Sequence, residues 1–216
     1  MRMNEILRTT EAFVREHFDK EGTGHDWHHI DRVRRNALLI LEKEGAGNRF
    51  VVEMAALLHD VPDEKLNKTE EAGWKKLEDF INKLGLTEST VQHIVDCIES
   101  VSFKGGRVIQ LNSLEAKIVQ DADRLDALGA IGIARTFAFG GKKGQPLYDP
   151  EIPVRDKMTL TQYRTEKSSS IHHFYEKLLK IKDLLNTEAA REIAEQRHEF
   201  MAAFLEQFYR EWNGQA

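Results

Sequence analysis

Arg49-Phe50-Val51-Val52-Glu53-Met54-Ala55-Ala56-Leu57-Leu58-His59-Asp60 is the stretch that decides the fold. It reads as a short, strongly apolar helix, and a helix with so little polar surface is a buried one. It then closes on His59 and Asp60, ahead of Val61-Pro62-Asp63-Glu64. A polar pair at the end of a buried helix needs partners, because desolvated polar groups without them are costly. A metal ion supplies such partners.

Outward from this run, helical periodicity dominates the chain. Ile6, Leu7, Phe13, Val14 and Phe18 line one face of a first helix, and His29, Val33, Ala37, Ile40 and Leu41 line a second. Trp74 to Leu84 and Val91 to Val101 carry the same spacing. So does Leu114 to Leu125, which runs on toward Phe139 with a break expected at Gly129 or Gly132. Ile171, Phe174, Leu178, Ile181 and Leu185 mark a late helix, and Ile193 to Trp212 mark the last. Alternation with period two is nearly absent. Arg107 to Leu111 is the best strand segment, and it is too short to anchor a sheet. The expectation is an all-α helical bundle formed as a single domain over 1–216. Gly140 to about Ser170 holds Pro146, Pro150 and Pro153, and is the longest loop, of a kind that often serves as a lid or binding loop. The C-terminal helices are expected to pack on the core.

The chain has 216 residues, 31% of them charged and 41% hydrophobic, as in an ordinary soluble globular protein. Its formal net charge of -5 gives no general attraction to nucleic acid. The single cysteine, Cys97, excludes an intrachain disulfide framework and fits a reducing compartment. No stretch resembles a signal peptide or a membrane span, so cytoplasmic residence is expected, with no membrane partner.

His29, the pair His59-Asp60 and Asp123 form a mixed nitrogen and oxygen set able to hold a divalent metal. Hydrolysis is the chemistry that a metal with an open face favours. A second pair, His25-Asp26, competes with His59-Asp60. It opens a helix after Gly22-Thr23-Gly24, where Asp26 suits an N-cap. Asp121 and Asp126 compete with Asp123. The plain alternative makes His29 and His59 core histidines satisfied by hydrogen bonds, with Asp123 paired to Arg124 or Arg32.

The order of His29 in His29-Ile30-Asp31-Arg32-Val33, then His59-Asp60, then Asp123 in Ala122-Asp123-Arg124-Leu125, resembles the HD-domain metal-dependent phosphohydrolase superfamily. Gly24-His25-Asp26-Trp27-His28-His29, Ser102-Phe103-Lys104-Gly105-Gly106 and Asp121 to Ala127 are similar to small bacterial single-domain members, which include nucleotide pyrophosphohydrolases. The likeness covers about residues 20–185. The resemblance implies His29, His59, Asp60 and Asp123 as metal ligands. It also implies hydrolysis of a (deoxy)nucleoside triphosphate to the monophosphate and pyrophosphate. A nucleoside monophosphate phosphatase and a non-catalytic nucleotide-binding protein are the alternatives. Only His93 lies between Asp60 and Asp123, where binuclear members carry two further histidines, so one metal is expected. Mn2+ is the first choice; Mg2+, Fe2+, Co2+ and Ni2+ fit the same donors.

A carboxylate is needed to position water or take its proton, and Asp63, Glu64 and Asp126 are the candidates. Lys104, Arg124, His173 and Lys177 are candidates for contact with the substrate's phosphates, since positioning and electrostatics dominate phosphoryl chemistry. Trp27 or Tyr148 offers a ring for a base, although packing explains such aromatics as well. The C-terminal stretch Ala189 to Trp212 is amphipathic, which a homodimer or simple core packing would equally explain.

Overall fold

The structure, a computed structural model, describes residues 2–18, 26–63, 66–101, 111–155 and 167–215. Among the described residues all regular structure is helical. The helices are α1 (Met3–Phe18), α2 (Trp27–Glu44), α3 (Arg49–Leu58), α4 (Glu70–Ile81), α5 (Glu88–Val101), α6 (Leu114–Asp126), α7 (Gly129–Lys143), α8 (Ser170–Glu176) and α9 (Glu188–Trp212). Short 3₁₀ segments cover Asn82–Leu84 and Leu178–Leu184. The all-α expectation holds. Of the strand segment, only Leu111 is described, and it is not in a strand; 107–110 lie outside the described residues.

Contacts gather into two compact units, Met1–Asp123 and Arg124–Ala216. In the first, α3 packs against α1, α2 and α5. Every residue of α3 from Phe50 to Leu58 is buried, as its sequence requires. Asn48 caps it, accepting from the backbone N–H groups of Phe50 and Val51. The one charged residue inside that buried run, Glu53, is met by Arg34 of α2. Arg34 donates through Nε at 2.9 Å and Nη2 at 2.5 Å, and reaches Glu11 of α1 at 3.1 Å. Burial works against the charge on Arg34, but Glu53 and Glu11 outweigh it and hold its pKa above the ordinary value. One guanidinium thus ties three helices together.

In the second unit α7 packs against α8 and α9. Phe137, Phe174 and Phe204 meet there with ring centroids 5.8–6.2 Å apart. The break expected between α6 and α7 falls at Gly129, where φ is +70°. A side chain resists that conformation, so helix α6 can stop and α7 restart only because the residue is glycine. The late helix proves to be two pieces. The α-helix α8 stops at Lys177, whose backbone turns to φ −138° and ψ −58°, and the chain continues as the 3₁₀ segment. Ile171, Phe174, Leu178, Ile181 and Leu185 are all buried, a spacing that either continuation satisfies. Residues 144–155 and 167–169 contain no helix. Among the described residues, no helix is long and apolar enough to cross a membrane.

Candidate metal centre

Three helices bring the candidate ligands together, each by a local device. On α2, the Asp26 side chain accepts from the backbone N–H of His29 at 2.9 Å, which fixes the first turn and with it His29. Asp26 is therefore a cap, as its setting implies, while its neighbour His25 lies outside the described residues. On α3, His59 occupies the C-cap with φ −58° and ψ −34°, so the chain keeps its helical course long enough to present the imidazole. On α6, Ala122 is buried and its carbonyl accepts from Asn36 Nδ2 of α2 at 3.4 Å. That contact sets the neighbouring Asp123 against the helix carrying His29.

The result is a tight group of donors. His29 Nε2 lies 3.4 Å from Asp60 Oδ2 and 3.5 Å from Asp123 Oδ1. His59 Nε2 lies 3.3 Å from Asp60 Oδ1 and 4.0 Å from Asp123 Oδ1. One ligand atom each from His29, His59 and Asp123 falls within 4.8 Å of the others. The imidazole side chains are about 1% exposed, Asp60 10% and Asp123 35%. The histidines form the floor and Asp123 the solvent side.

The chemistry of this group fits a divalent ion. His59 Nδ1 stands 2.9 Å from the Ala56 carbonyl oxygen. A carbonyl can only accept, so Nδ1 carries a proton, which leaves Nε2 as the nitrogen turned toward the carboxylates and able to ligate a metal. That buried Nε2 has no hydrogen-bond partner among the described residues. An Nε2 lone pair facing carboxylate oxygens is an arrangement that a bound cation relieves. Donors at about 2.0–2.2 Å from one ion, set about 90–110° apart, stand roughly 2.8–3.6 Å from each other; three of the four pairs have that spacing, and His59 with Asp123, at 4.0 Å, stands slightly wider. Without thiolates, and with room on the Asp123 side, the set suits a catalytic rather than a closed structural ion.

The other sequence candidates fall elsewhere. Asp63 is half-buried in the turn after the His-Asp pair, its N–H donating to the Asp60 carbonyl at 3.1 Å. Glu64 and Lys104 lie outside the described residues. Asp121 is fully buried, and at two positions from Asp123 it sits about 200° round α6. Asp126 is also buried and accepts from Arg135 Nη1 at 2.6 Å, an ion pair within the second unit. Arg124 donates to the Leu184 carbonyl. His173 and Lys177 share a face of α8 and its cap; burial, then the Lys177 charge, push the His173 pKa down to about 4. His173 is therefore a neutral hydrogen-bonding group near pH 7, not a cation. Lys177 is exposed. His93 pairs with Glu115 at 3.3 Å and takes no part in the donor group.

Neither aromatic is an idle stacking platform. The Arg15 guanidinium covers the Trp27 ring at 4.0 Å. Tyr148 is met edge-on by His172, Phe208, Tyr209 and Trp212 at 5.2–6.1 Å. The Asn36 contact to α6 had no sequence signal, since a half-buried asparagine in a helix leaves no pattern.

The HD domain family model matches residues 26–128, a span that contains all four donors. The uncharacterized protein YpgQ of Bacillus subtilis is 39% identical over 216 residues, covering 99% of this chain and 96% of its own. A crystal structure of an HD-superfamily hydrolase from Bacillus thuringiensis matches with a TM-score of 0.81 and 50% identity, covering 99% of this chain and all of that one. The crystal structure of Bacillus subtilis YpgQ in complex with ADP matches with a TM-score of 0.78 and 36% identity over 98% and 97% of the two chains. With this likeness along its whole length, the chain belongs to the HD domain family of metal-dependent hydrolases.

Proposed function

We propose that the protein is a nucleotide phosphohydrolase that converts a (deoxy)nucleoside triphosphate to the monophosphate and pyrophosphate. The observation that carries the nucleotide class is the ADP complex of Bacillus subtilis YpgQ, a relative of 36% identity along nearly the whole chain. In this reading residues 1–216 act as one HD-type domain in the cytoplasm, on a small nucleotide rather than on nucleic acid. The net charge of -5 supports that choice, because a nucleic-acid surface needs a basic excess.

His29, His59, Asp60 and Asp123 would hold one divalent ion, with Mn2+ the first candidate. Such an ion, when bound, supplies charge neutralisation at phosphate oxygens and lowers the pKa of water. The chain's own residues do the rest. His59, its Nδ1 proton committed to Ala56, presents a lone pair at a fixed angle. Asp60 places one oxygen near each imidazole. Asp123, the most exposed of the four side chains, borders the side from which substrate arrives. Asp63 is the carboxylate assigned to orient water and take its proton, with Glu64 its competitor; Asp126 is engaged by Arg135. Lys104 and Lys177 supply positive charge for the polyphosphate, Arg124 stands beside the ligand Asp123, and neutral His173 offers a hydrogen bond.

A panel of nucleotides hydrolysed with Mn2+, with products identified, tests the proposal. Pyrophosphate and dAMP from dATP are expected. Orthophosphate alone, or activity confined to monophosphates, would replace it with a phosphatase. Absence of turnover on every nucleotide would leave a binding protein.

A further inference from the structure

We infer that Asn67 is the residue that positions the His59-Asp60 turn for metal binding, and that Lys76 orients it. Asn67 Nδ2 donates to the Val61 carbonyl at 2.8 Å and to the Asp63 carbonyl at 2.9 Å. These two carbonyls lie just beyond Asp60, so both amide protons of one side chain clip the backbone that carries a metal ligand. Lys76 Nζ on α4 donates to Asn67 Oδ1 at 2.9 Å. An ammonium has no acceptor, so this contact fixes which end of the amide is oxygen and which is NH2.

Lys76 is itself held from α1, where His17 Nε2 lies 2.9 Å from its Nζ. Burial, then the Lys76 charge, lower the His17 pKa, which keeps the ring able to accept that bond. Helix α4 can come this close only because residue 73 is glycine. A Cβ there would stand 2.7 Å from Asn67 Nδ2 and 2.7 Å from the Pro62 carbonyl oxygen. The path therefore runs from α1 through Lys76 and Asn67 into the turn, entirely within the first unit. It ends on the backbone between Asp60, whose carboxylate spans the two imidazoles, and Asp63, the proposed base. Partners that orient metal ligands from behind are worth about 10–100-fold in affinity when removed. Asn67 is a positioning residue of that kind, acting through main chain instead of through a ligand side chain. The inference rests on the proposed ligand set, but not on the nucleotide chemistry.

The test is the Mn2+ dissociation constant of the full-length protein, measured by calorimetry on the metal-stripped chain. Asn67→Asp keeps the size and the Lys76 contact, and turns two donors into acceptors facing two carbonyls. Weakening of roughly tenfold or more is expected. Lys76→Met leaves both clips in place but frees the amide to flip, and should weaken binding by more than about twofold. Lys75→Met, on an exposed lysine that pairs with Asp79, is the control and should match wild type. A merely structural Asn67 would lower the unfolding temperature of the metal-free protein and leave the dissociation constant of the folded chain within about twofold of wild type; that result overturns the inference. Should Asn67→Asp fail to fold, Lys76→Met decides by the same criterion. If wild type binds no Mn2+, both this inference and the proposed function fall. If binding weakens as expected but no nucleotide is hydrolysed, only the proposed function falls.

Discussion

Exchange of Asp60 for asparagine keeps the shape of the side chain and removes its charge. The two Asp60 oxygens stand 3.4 Å from His29 Nε2 and 3.3 Å from His59 Nε2, in a side chain only 10% exposed. A cation there loses one of two anionic donors, with little solvent to replace it. At free Mn2+ a hundredfold above the wild-type dissociation constant, binding to the folded state alone adds about 2.7 kcal/mol. For a chain of this length that raises the unfolding temperature by roughly 5–11 °C. If Asp60→Asn weakens affinity about a hundredfold, the same Mn2+ adds only about 0.4 kcal/mol, or roughly 1–2 °C. Differential scanning calorimetry in EDTA and in Mn2+ reads both increments, and the metal-free temperatures of the two proteins should be close. A wild-type increment retained by Asp60→Asn would refute the role of Asp60 as a ligand.

Two further predictions concern the scaffold. Arg34→Met strands Glu53, which is 5% exposed, without its guanidinium; because Arg34 is itself partly exposed, the cost is about 2–4 kcal/mol rather than the full penalty of a deeply buried pair. Urea titration should show that loss, and Arg34→Met with Glu53→Met together should cost less than the two singles summed. His173 titrates at about 4 in the fold, below its ordinary 6.5. Between those values the unfolded chain binds a proton that the folded chain does not, so its contribution is whole above pH 6.5 and is lost as pH falls toward 4. The fall is at most about 3 kcal/mol. His173→Gln should flatten it, and a ring that NMR finds protonated at pH 5.5 would overturn the assignment.

The helices were legible because their signals are short-range. Apolar spacing of three and four residues marks the buried faces, as in Val33, Ala37, Ile40 and Leu41 of α2. The uniform run from Phe50 to Leu58 announces a central helix, and α3 is indeed buried on all sides. Capping is equally local, which is why Asp26 could be separated from His59-Asp60 before any fold was known. The division of the late helix at Lys177 was not legible, since the apolar positions of an α turn followed by a 3₁₀ turn look alike over so few residues.

What the sequence alone determined is the class of the protein and the candidate donors, because both rest on residue identity and helical phase. What only tertiary structure decided is which atoms meet. Asp121, Asp123 and Asp126 ride one helix; Asp123 joins His29 and His59 in the donor group, while Asp126 is taken by Arg135. His173 resembled a cation until burial made it neutral. Glu53 found Arg34, and Lys76 joined the Asn67 clip to His17 of a helix that precedes it by dozens of residues. Such contacts depend on how helices far apart in sequence come to rest against each other, and no local pattern encodes a distance of 3 Å between them.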